Sequence, residues 1–474
     1  MDTIRVHQKI NHLAKGSAVR TNHPDGGVRT EATTVCIVYD CLFPLTVGGA
    51  ERWYRVLADC LVADGIPVTY LTRRQWDRLP SELMHLEVIS VSGKAALYDS
   101  TGSRKLLPTL RFGWGVFRYL IRHRRAFGVV HLGNFPFFSV LAARLALLGS
   151  GTTLAVDWHE VWSRAHWRRY AGPVLGRLGF IVQRCCLIAV PTTFVFSQRN
   201  ARLLVTAGAR RAPTVLAGLL PSDPRQNSSA APQGGPVLQP TVLFAGRHIA
   251  DKGVDLLPDI FAAARRLVPD LQLVVAGDGP LRREVEDKVN MLGLQGVVHF
   301  VGFVDDATLA RFLDEAACVL LPARREGYGM LVAEAAAHST PAVVAAHPEN
   351  GAVDLIEHGR NGFAVEPTGP AALALAVAES VNLGEQLRRT TADWYAERAP
   401  HMTIEQSAAQ VVALHRARVN RQGNALDVSS KTESDNFSGP LRRIWSRRAL
   451  PSPDSRPPGR FRPGGRGNPR QRRS

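Results

Sequence analysis

The sequence predicts two doubly wound α/β domains in series, on three observations. Short, near-continuous apolar runs alternate with longer helical patterns. The alternation stops between Ala217 and Pro240, in a stretch rich in Pro, Ser, Gln and Gly, and then resumes. In the second series, loops carrying Gly and charged residues follow the ends of the apolar runs. A strand in a parallel sheet is covered on both faces by crossover helices, so it reads as an apolar run rather than as an alternation.

The first series begins with Thr34-Val-Cys-Ile-Val-Tyr39, followed by a loop through Pro44 and Gly48-Gly49 and a helical pattern over 51–63. Gly65 ends that helix, as a residue free to adopt positive φ does. Further strands are expected at 67–71, 88–91, 129–131, 153–156 and 193–196. The second series has strands at 241–245, 272–276, 297–301, 319–321 and 342–345, with helices over 254–268, 280–292, 305–317 and 330–338. A last helical pattern over 402–419 is placed to pack back across the cleft between the domains. The resulting layout is an N-terminal arm (1–32), a first domain (33–216), a linker (217–240), a second domain (241–400), a returning helix (401–420) and a tail (421–474). Ligands of doubly wound sheets bind at the carboxyl ends of the strands, and two such edges facing each other make a deep cleft.

Composition bounds the function classes. At 474 residues, with 45% apolar and 21% charged residues, the chain has a globular balance and is too long for one ordinary core. None of the six cysteines forms a Cys-x-x-Cys pair, so neither a zinc site nor a disulfide framework is suggested. A reduced, cytosolic location is expected, at most peripheral to the inner face of a membrane. No leader-like segment is seen, and no stretch approaches the roughly 20 apolar residues of a membrane span. The longest candidate, 181–190, is interrupted by Gln183 and Arg184. Of the formal charge of +17, about half lies in the tail, where 13 basic residues face 4 acidic ones from Arg421 to Ser474. That segment, rich in Pro, Gly, Ser and Arg, is expected to be disordered.

The chemistry concentrates in three loops of the second domain. In Phe244-Ala-Gly-Arg-His-Ile-Ala-Asp-Lys-Gly253, Arg247 and Lys252 stand between a strand and a helix, where a diphosphate would sit. A pair of solvated loop charges would read the same way. In Ala276-Gly-Asp-Gly-Pro280 the glycines permit close backbone approach to a ligand, or simply a tight turn. The third loop, Arg324-Arg-Glu-Gly-Tyr-Gly-Met-Leu-Val-Ala-Glu334, places Glu326 ahead of a helix and Glu334 inside it. A helix starting near Gly329 aims N–H groups into the cleft, which suits a phosphate, while the carboxylates suit sugar and ribose hydroxyls. A helix cap and an exposed acid are the alternative.

The set Gly246-Arg247, Asp251-Lys252-Gly253, Gly277-Asp-Gly-Pro280, Glu326-Gly-Tyr-Gly329 and Glu334 resembles the donor-binding signature of glycosyltransferase family 4. Gly48-Gly49-Ala50-Glu51 resembles that family's Gly-Gly-x-Glu loop, and the likeness runs in matching order from about Val35 to about Val419. The resemblance implies a GT-B fold and a retaining hexosyl transfer from a nucleotide diphosphate sugar, which serves as co-substrate, with no cofactor and no metal ion. It implies that Arg247 and Lys252 hold the diphosphate, that Glu326 faces the donor sugar, and that His159 reaches the sugar's C6 hydroxyl. Gly48, Gly49, Gly246, Gly277, Gly279, Gly327, Tyr328, Gly329, Met330 and Leu331 would line the donor, and Glu334 would bind its ribose. The chain contains no Asp-x-Asp pair, which agrees with metal independence.

Two stretches depart from the family pattern: Val215-Leu-Ala-Gly218, where Asn-Gly is frequent, and Glu349-Asn-Gly-Ala352 followed by Asp354. The acceptor is expected to be a glycan, a lipid-linked molecule or a small molecule. Arg104 to Arg125 interleaves Phe112, Trp114, Phe117 and Tyr119 with Arg111, Arg118, Arg122, Arg124 and Arg125. That mixture suits peripheral contact with an anionic membrane, or an ordinary amphipathic helix. Trp158, Trp162, Trp167 and Tyr170 would form an acceptor wall or pack in the core. No recognition motif accompanies the basic tail, so no specific nucleic acid is expected. A nucleotide-sugar epimerase of the same architecture and a non-catalytic nucleotide-sugar-binding protein are the competing readings.

Overall fold

The computed structural model describes residues 34–97, 104–220, 239–366 and 369–417. The arm, the tail and most of the linker lie outside the described residues.

Strands β1 (Val35–Val38), β2 (Val68–Arg73), β3 (Glu87–Ser92), β4 (Val129–Gly133), β5 (Thr153–Trp158), β6 (Thr192–Val195) and β7 (Thr214–Val215) form the first sheet. It is parallel throughout and ordered β3-β2-β1-β4-β5-β6-β7, with Val35 in register with both Val68 and Val129. Its crossovers carry helices α1 (Gly49–Ala63), α2 (Leu106–Arg122), α3 (Phe137–Ala146), α4 (Arg164–Ala189) and α5 (Gln198–Thr206). The last two start on capping serines: Ser163 Oγ accepts from His166 N, and Ser197 Oγ from Asn200 N.

The second sheet contains β8 (Thr241–Ala245), β9 (Gln272–Ala276), β10 (Val298–Gly302), β11 (Cys318–Leu321), β13 (Ala342–Ala345) and β15 (Gly362–Val365). It too is parallel, in the order β10-β9-β8-β11-β13-β15, while β12 (Arg325–Glu326) and β14 (Glu349–Asn350) pair apart from it. Helices α6 (Leu257–Leu267), α7 (Arg282–Met291), α8 (Asp306–Glu315), α9 (Met330–Ala337) and α10 (Pro370–Arg398) surround it, and α11 spans 404–417. The two lobes are thus Rossmann-like, and both sheets reverse strand order beside their first strand.

Several expectations shift. The helix expected over 254–268 opens with one short 3₁₀ turn (Val254–Leu256), preceded by another (Ala250–Lys252), with Gly253 left-handed at φ 70° between them. Strands β7, β12 and β14 are two residues long and give no periodicity to read. β15 and α10 were not expected either; α10 is rich in alanine and bends at Gly384, φ 47°, which blurs any single apolar stripe. Helix α4 corrects the reading that no segment is long and apolar enough to cross a membrane. Its 26 residues meet that test by length and composition. Its two ends, however, feed β5 and β6, which pair in register in one sheet, so it is a crossover helix lying along the lobe.

Two apolar layers sandwich the first sheet. On one face, Phe112 and Val116 of α2, Phe137 and Val140 of α3, and Trp167 and Leu187 of α4 pack on Cys36, Val38, Val130 and Leu132. On the other, Trp53, Leu57 and Leu61 of α1 cover Val35 and Ile37. That second cluster continues through Leu216, Leu219 and Leu220 into Leu243 and Val319 of the second lobe. It also takes in Ile404, Ala408 and Val411 of α11. Full burial of each such large side chain contributes about 1.5–3 kcal/mol, so the lobes share a core rather than merely touching.

The returning helix is fixed to the first lobe. Ile404 N donates to Leu220 O (2.7 Å), Ser407 Oγ donates to Gly218 O (2.6 Å), and His415 Nε2 lies 2.8 Å from His131 Nδ1. Residues 216–220, the first of the expected linker among them, are therefore structured and apolar, with Leu219 and Leu220 buried.

Candidate active site

The carboxyl ends of β1 and β5 in the first lobe, and of β8 and β11 in the second, bring their loops together. Gly49, at the start of α1, lies so close to the second lobe that an added Cβ would stand 2.6 Å from Met330 Sδ. Gly48 is extended, so its φ requires no glycine, but a Cβ there would meet the Glu51 carboxylate at 2.4 Å. Burial holds that carboxyl above its ordinary pKa. The Gly-Gly loop is thus in contact with the start of α9, where the N–H groups of Met330 and Leu331 have no partner within the helix, while Val332 N donates to Gly329 O (3.0 Å).

Lys252 and Glu326 meet: Nζ lies 2.5 Å from Glu326 Oε2, and Glu326 Oε1 accepts from Gly327 N at 3.2 Å. Gly253, left-handed, is forced by its neighbour, since a Cβ would fall 2.1 Å from Pro322 O. That turn sets Lys252 against Glu326. Gly329 is left-handed at φ 100° and caps α9. Gly327 packs on the first lobe with its missing Cβ only 2.2 Å from His159 O. Asn200 Nδ2 donates to both His159 O (3.2 Å) and Gly327 O (3.0 Å), tying the two loops together.

His159 stacks on Phe196, with ring centres 5.2 Å apart, and its Nε2 lies 3.2 Å from Tyr54 Oη. Burial lowers its pKa to about 4 against the opposing pull of Asp157, so the ring is neutral. Below it Asp157 accepts from Trp53 Nε1 (2.5 Å) and lies 2.8 Å from His131 Nε2. Glu334 sits deep enough that desolvation pushes its pKa up to about 7, although Arg52 pulls it down. Arg247 is exposed at the carboxyl end of β8, and its side chain has no hydrogen bond or ion pair among the described residues.

Other predicted residues have different surroundings. Tyr328 is buried in the shared core, and its hydroxyl packs near Gly218. Gly277 and Gly279 serve the fold: Cβ atoms there would strike Gly246 O (2.0 Å) and His248 O (2.7 Å), so their loop braces the Arg247 loop. Leu331 is half-buried beside Met330, packed against the shared core. Trp158, Trp162 and Trp167 are core residues, whereas Tyr170 is exposed.

Sequence reasoning missed Arg325. Its guanidinium pairs with Glu160 of the first lobe and with Asp251 (2.5 Å), and lies 4.5 Å from the Trp162 ring centre. Burial lowers its pKa to about 10. Side chains alternate along β12, which separates Arg325 from Glu326 on one side and from Arg324, paired with Asp255 (2.8 Å), on the other. The Arg-Arg-Glu run was visible; which arginine turns inward depends on β14. That strand is the Glu349-Asn-Gly departure, and Asn350 Nδ2 anchors it by donating to Ala323 O (3.1 Å) and Ala345 O (2.9 Å). A cavity of about 600 Å³ borders the same turn, lined by Asp251, Asp255, Arg169, Arg324, His347 and apolar residues.

The comparisons with known proteins agree with this geometry. The family model "Glycosyl transferase 4-like domain" matches residues 48–219, and "Glycosyl transferases group 1" matches residues 228–394. The alpha-D-kanosaminyltransferase of Streptomyces kanamyceticus is 35% identical over 139 residues, 29% of this chain and 36% of that protein. The chain spans about a third of the length of the curated relatives it matches first. Sucrose-phosphate synthase from Thermosynechococcus elongatus superposes with a TM-score of 0.65 at 19% identity, covering 81% of this chain and 98% of that one. Anabaena HepE, solved in complex with UDP and glucose, gives a TM-score of 0.61 at 16% identity, over 81% and 100%.

Proposed function

The chain belongs to the family 4 type of GT-B glycosyltransferases, and we propose that it moves a hexose from a nucleotide diphosphate sugar to an acceptor hydroxyl, with retention and without a divalent cation. The observation that carries this reading is the Lys252–Glu326 pair at 2.5 Å, beside the start of α9 and under Gly49. A diphosphate entering there takes Lys252 Nζ from Glu326, which frees the carboxylate to accept from sugar hydroxyls. Arg247, exposed nearby in the same loop, adds a second cation. Two cations and a helix terminus supply the stabilisation of the leaving phosphate that a metal ion gives elsewhere.

In this scheme the bond from the anomeric carbon to the phosphate oxygen breaks, and its electron pair leaves with the phosphate. The acceptor oxygen bonds to the same face of the carbon, and its proton passes to the departing phosphate oxygen. The transition state is oxocarbenium-like. Neutral His159, with Nε2 engaged by Tyr54, offers Nδ1 to a sugar hydroxyl. Glu334 is assigned to the ribose. No carboxylate nucleophile is assigned.

The test is isothermal titration of UDP-, GDP- and ADP-sugars without added metal, on the wild type and Lys252→Ala. Selective binding of one nucleotide, lost in the variant, supports the scheme. A folded protein that binds none of them overturns it, and conversion of a bound donor without any acceptor would instead favour an epimerase.

A further inference from the structure

The layer formed by α2, α3 and α4 on the outside of the first lobe combines two properties that seldom coincide on a water-facing surface. The first is exposed apolar area. Along α4, Val174, Leu178, Ile181 and Ile188 recur at helical spacing on one stripe, with Leu175 beside it, and Val174 and Leu175 are 78% and 65% exposed. On α2, Trp114 is 60% exposed, while Phe112, Val116 and Leu120 of the same helix pack inward. So the aromatics of α2 are mostly core, but one of them is turned to solvent. A run of exposed large apolar side chains of this extent marks a surface that is covered in use.

The second property is charge of one sign. From Arg104 to Val190 the chain has 13 basic residues and only two acidic ones, Asp157 and Glu160. Asp157 is fully buried and Glu160 is engaged by Arg325, and helices α2, α3 and α4 themselves carry no carboxylate. Arg111, Arg118 and Arg122 of α2, and Arg177 and Arg184 of α4, are exposed alongside the apolar stripes. A protein partner for such a face would have to be apolar and acidic at once. The surface of an anionic lipid leaflet has this chemistry uniformly: apolar side chains enter the acyl boundary and arginines meet phosphates.

The face is also continuous with the site. Helices that follow parallel strands start at the carboxyl edge, so α2 and α4 both begin at the rim of the cleft. Arg104 N, at the approach to α2, donates to Tyr170 Oη in the first turns of α4 (3.0 Å). His166, one turn into α4, lies 3.8 Å from Asp251 of the second lobe. The apolar stripe starts just beyond Gly172, where the helix kinks. We infer that the α2–α4 face docks on an anionic membrane, and, resting on the proposed transferase reading, that the acceptor is lipid-linked and reaches His159 and Glu326 past the start of α4.

The test is flotation of the full chain with vesicles of phosphatidylcholine alone or mixed with phosphatidylglycerol. The variants are Val174→Ser/Leu175→Ser/Leu178→Ser, Arg111→Gln/Arg118→Gln/Arg122→Gln, and a tail control, Arg456→Gln/Arg460→Gln/Arg462→Gln/Arg466→Gln. The wild type is expected to bind mixed vesicles and to release them at high salt. Each face variant should weaken binding by about tenfold or more, with an unchanged melting temperature, and the tail control should bind like wild type. Binding lost only in the tail control, face variants that bind as tightly as wild type, or no binding at low salt would each overturn the inference. So would a dimer, seen by sedimentation, that the α4 substitutions dissociate, because a second copy would then be the occupant. Donor titration on the same proteins separates the two readings. Vesicle binding without donor binding leaves the docking face standing and removes the transferase scheme.

Discussion

Lowering the pH from about 8 to about 6 protonates Glu334 in the ligand-free protein, because burial has lifted its carboxyl from the ordinary 4.5 to about 7. If the carboxylate accepts from two ribose hydroxyls, only the ionised form binds the donor well. The ionised fraction falls from about nine-tenths to about one-tenth over that interval, so donor affinity falls roughly tenfold. The stability of the empty protein moves the other way. A carboxyl group whose folded pKa is raised favours the fold while protonated, so its contribution is complete below about 4.5 and is lost as the pH rises through 7. The shift corresponds to about 3 kcal/mol at most, and part of the side chain faces solvent, so about 1–2 kcal/mol is the expected gain from Glu334→Gln at pH 8. Titration calorimetry across pH on the wild type and Glu334→Gln measures the first effect, and urea unfolding at pH 5 and pH 8 the second. A wild-type affinity that does not change with pH, or a slope that persists in Glu334→Gln, refutes the ribose assignment. Equal stability of the two proteins at pH 8 refutes the burial argument.

Three more outcomes follow from the packing. Arg325→Met leaves the Glu160 carboxylate and Asp251 without their cation, and the expected loss is about 3–5 kcal/mol by urea unfolding. Gly327→Ala puts a methyl group against the rigid backbone oxygen of His159, at 2.2 Å; donor affinity should fall at least tenfold, read by titration, because the loop can relieve the clash only by moving Glu326. Gly49→Ala meets instead the flexible Met330 side chain at 2.6 Å, so a smaller loss of affinity is expected, and Met330→Ala in the same chain should restore most of it.

Those two glycines illustrate what the sequence made legible. The Glu-Gly-Tyr-Gly loop stands out by local spacing and the Gly-Gly loop by its resemblance to the family's Gly-Gly-x-Glu loop, and the strand ends that carry them follow from apolar runs. That Gly49 faces Met330, and that Gly327 lies on His159, depends on how the lobes meet. The linker region whose first residues set that docking reads as polar from Pro221 onward, and its structured part, 216–220, is too short to show a pattern. Arg325 was invisible for a related reason: a two-residue strand has no period, and its partner β14 lies 24 residues further on. Gly277 and Gly279 read in the sequence either as an approach to a ligand or as a tight turn, and their close packing on Gly246 and His248 gives the turn its own structural reason. The stripe on α4 escaped notice because a search for uninterrupted apolar runs stops at Gln183 and Arg184, whereas one face of a helix tolerates both.

His131 stands in the middle of the first sheet, and its hydrogen-bonding partner His415 lies 284 residues further along the chain. A ribosome making this protein therefore finishes every strand of the first lobe long before the piece that closes it exists. Until α11 emerges, the nascent lobe holds Phe194, His131 and residues 216–220 without their cover. The helix that completes the first lobe is thus among the last parts of the described chain to be made, so a product stopped short of residue 404 would leave synthesis with that apolar surface open to chaperones and proteases.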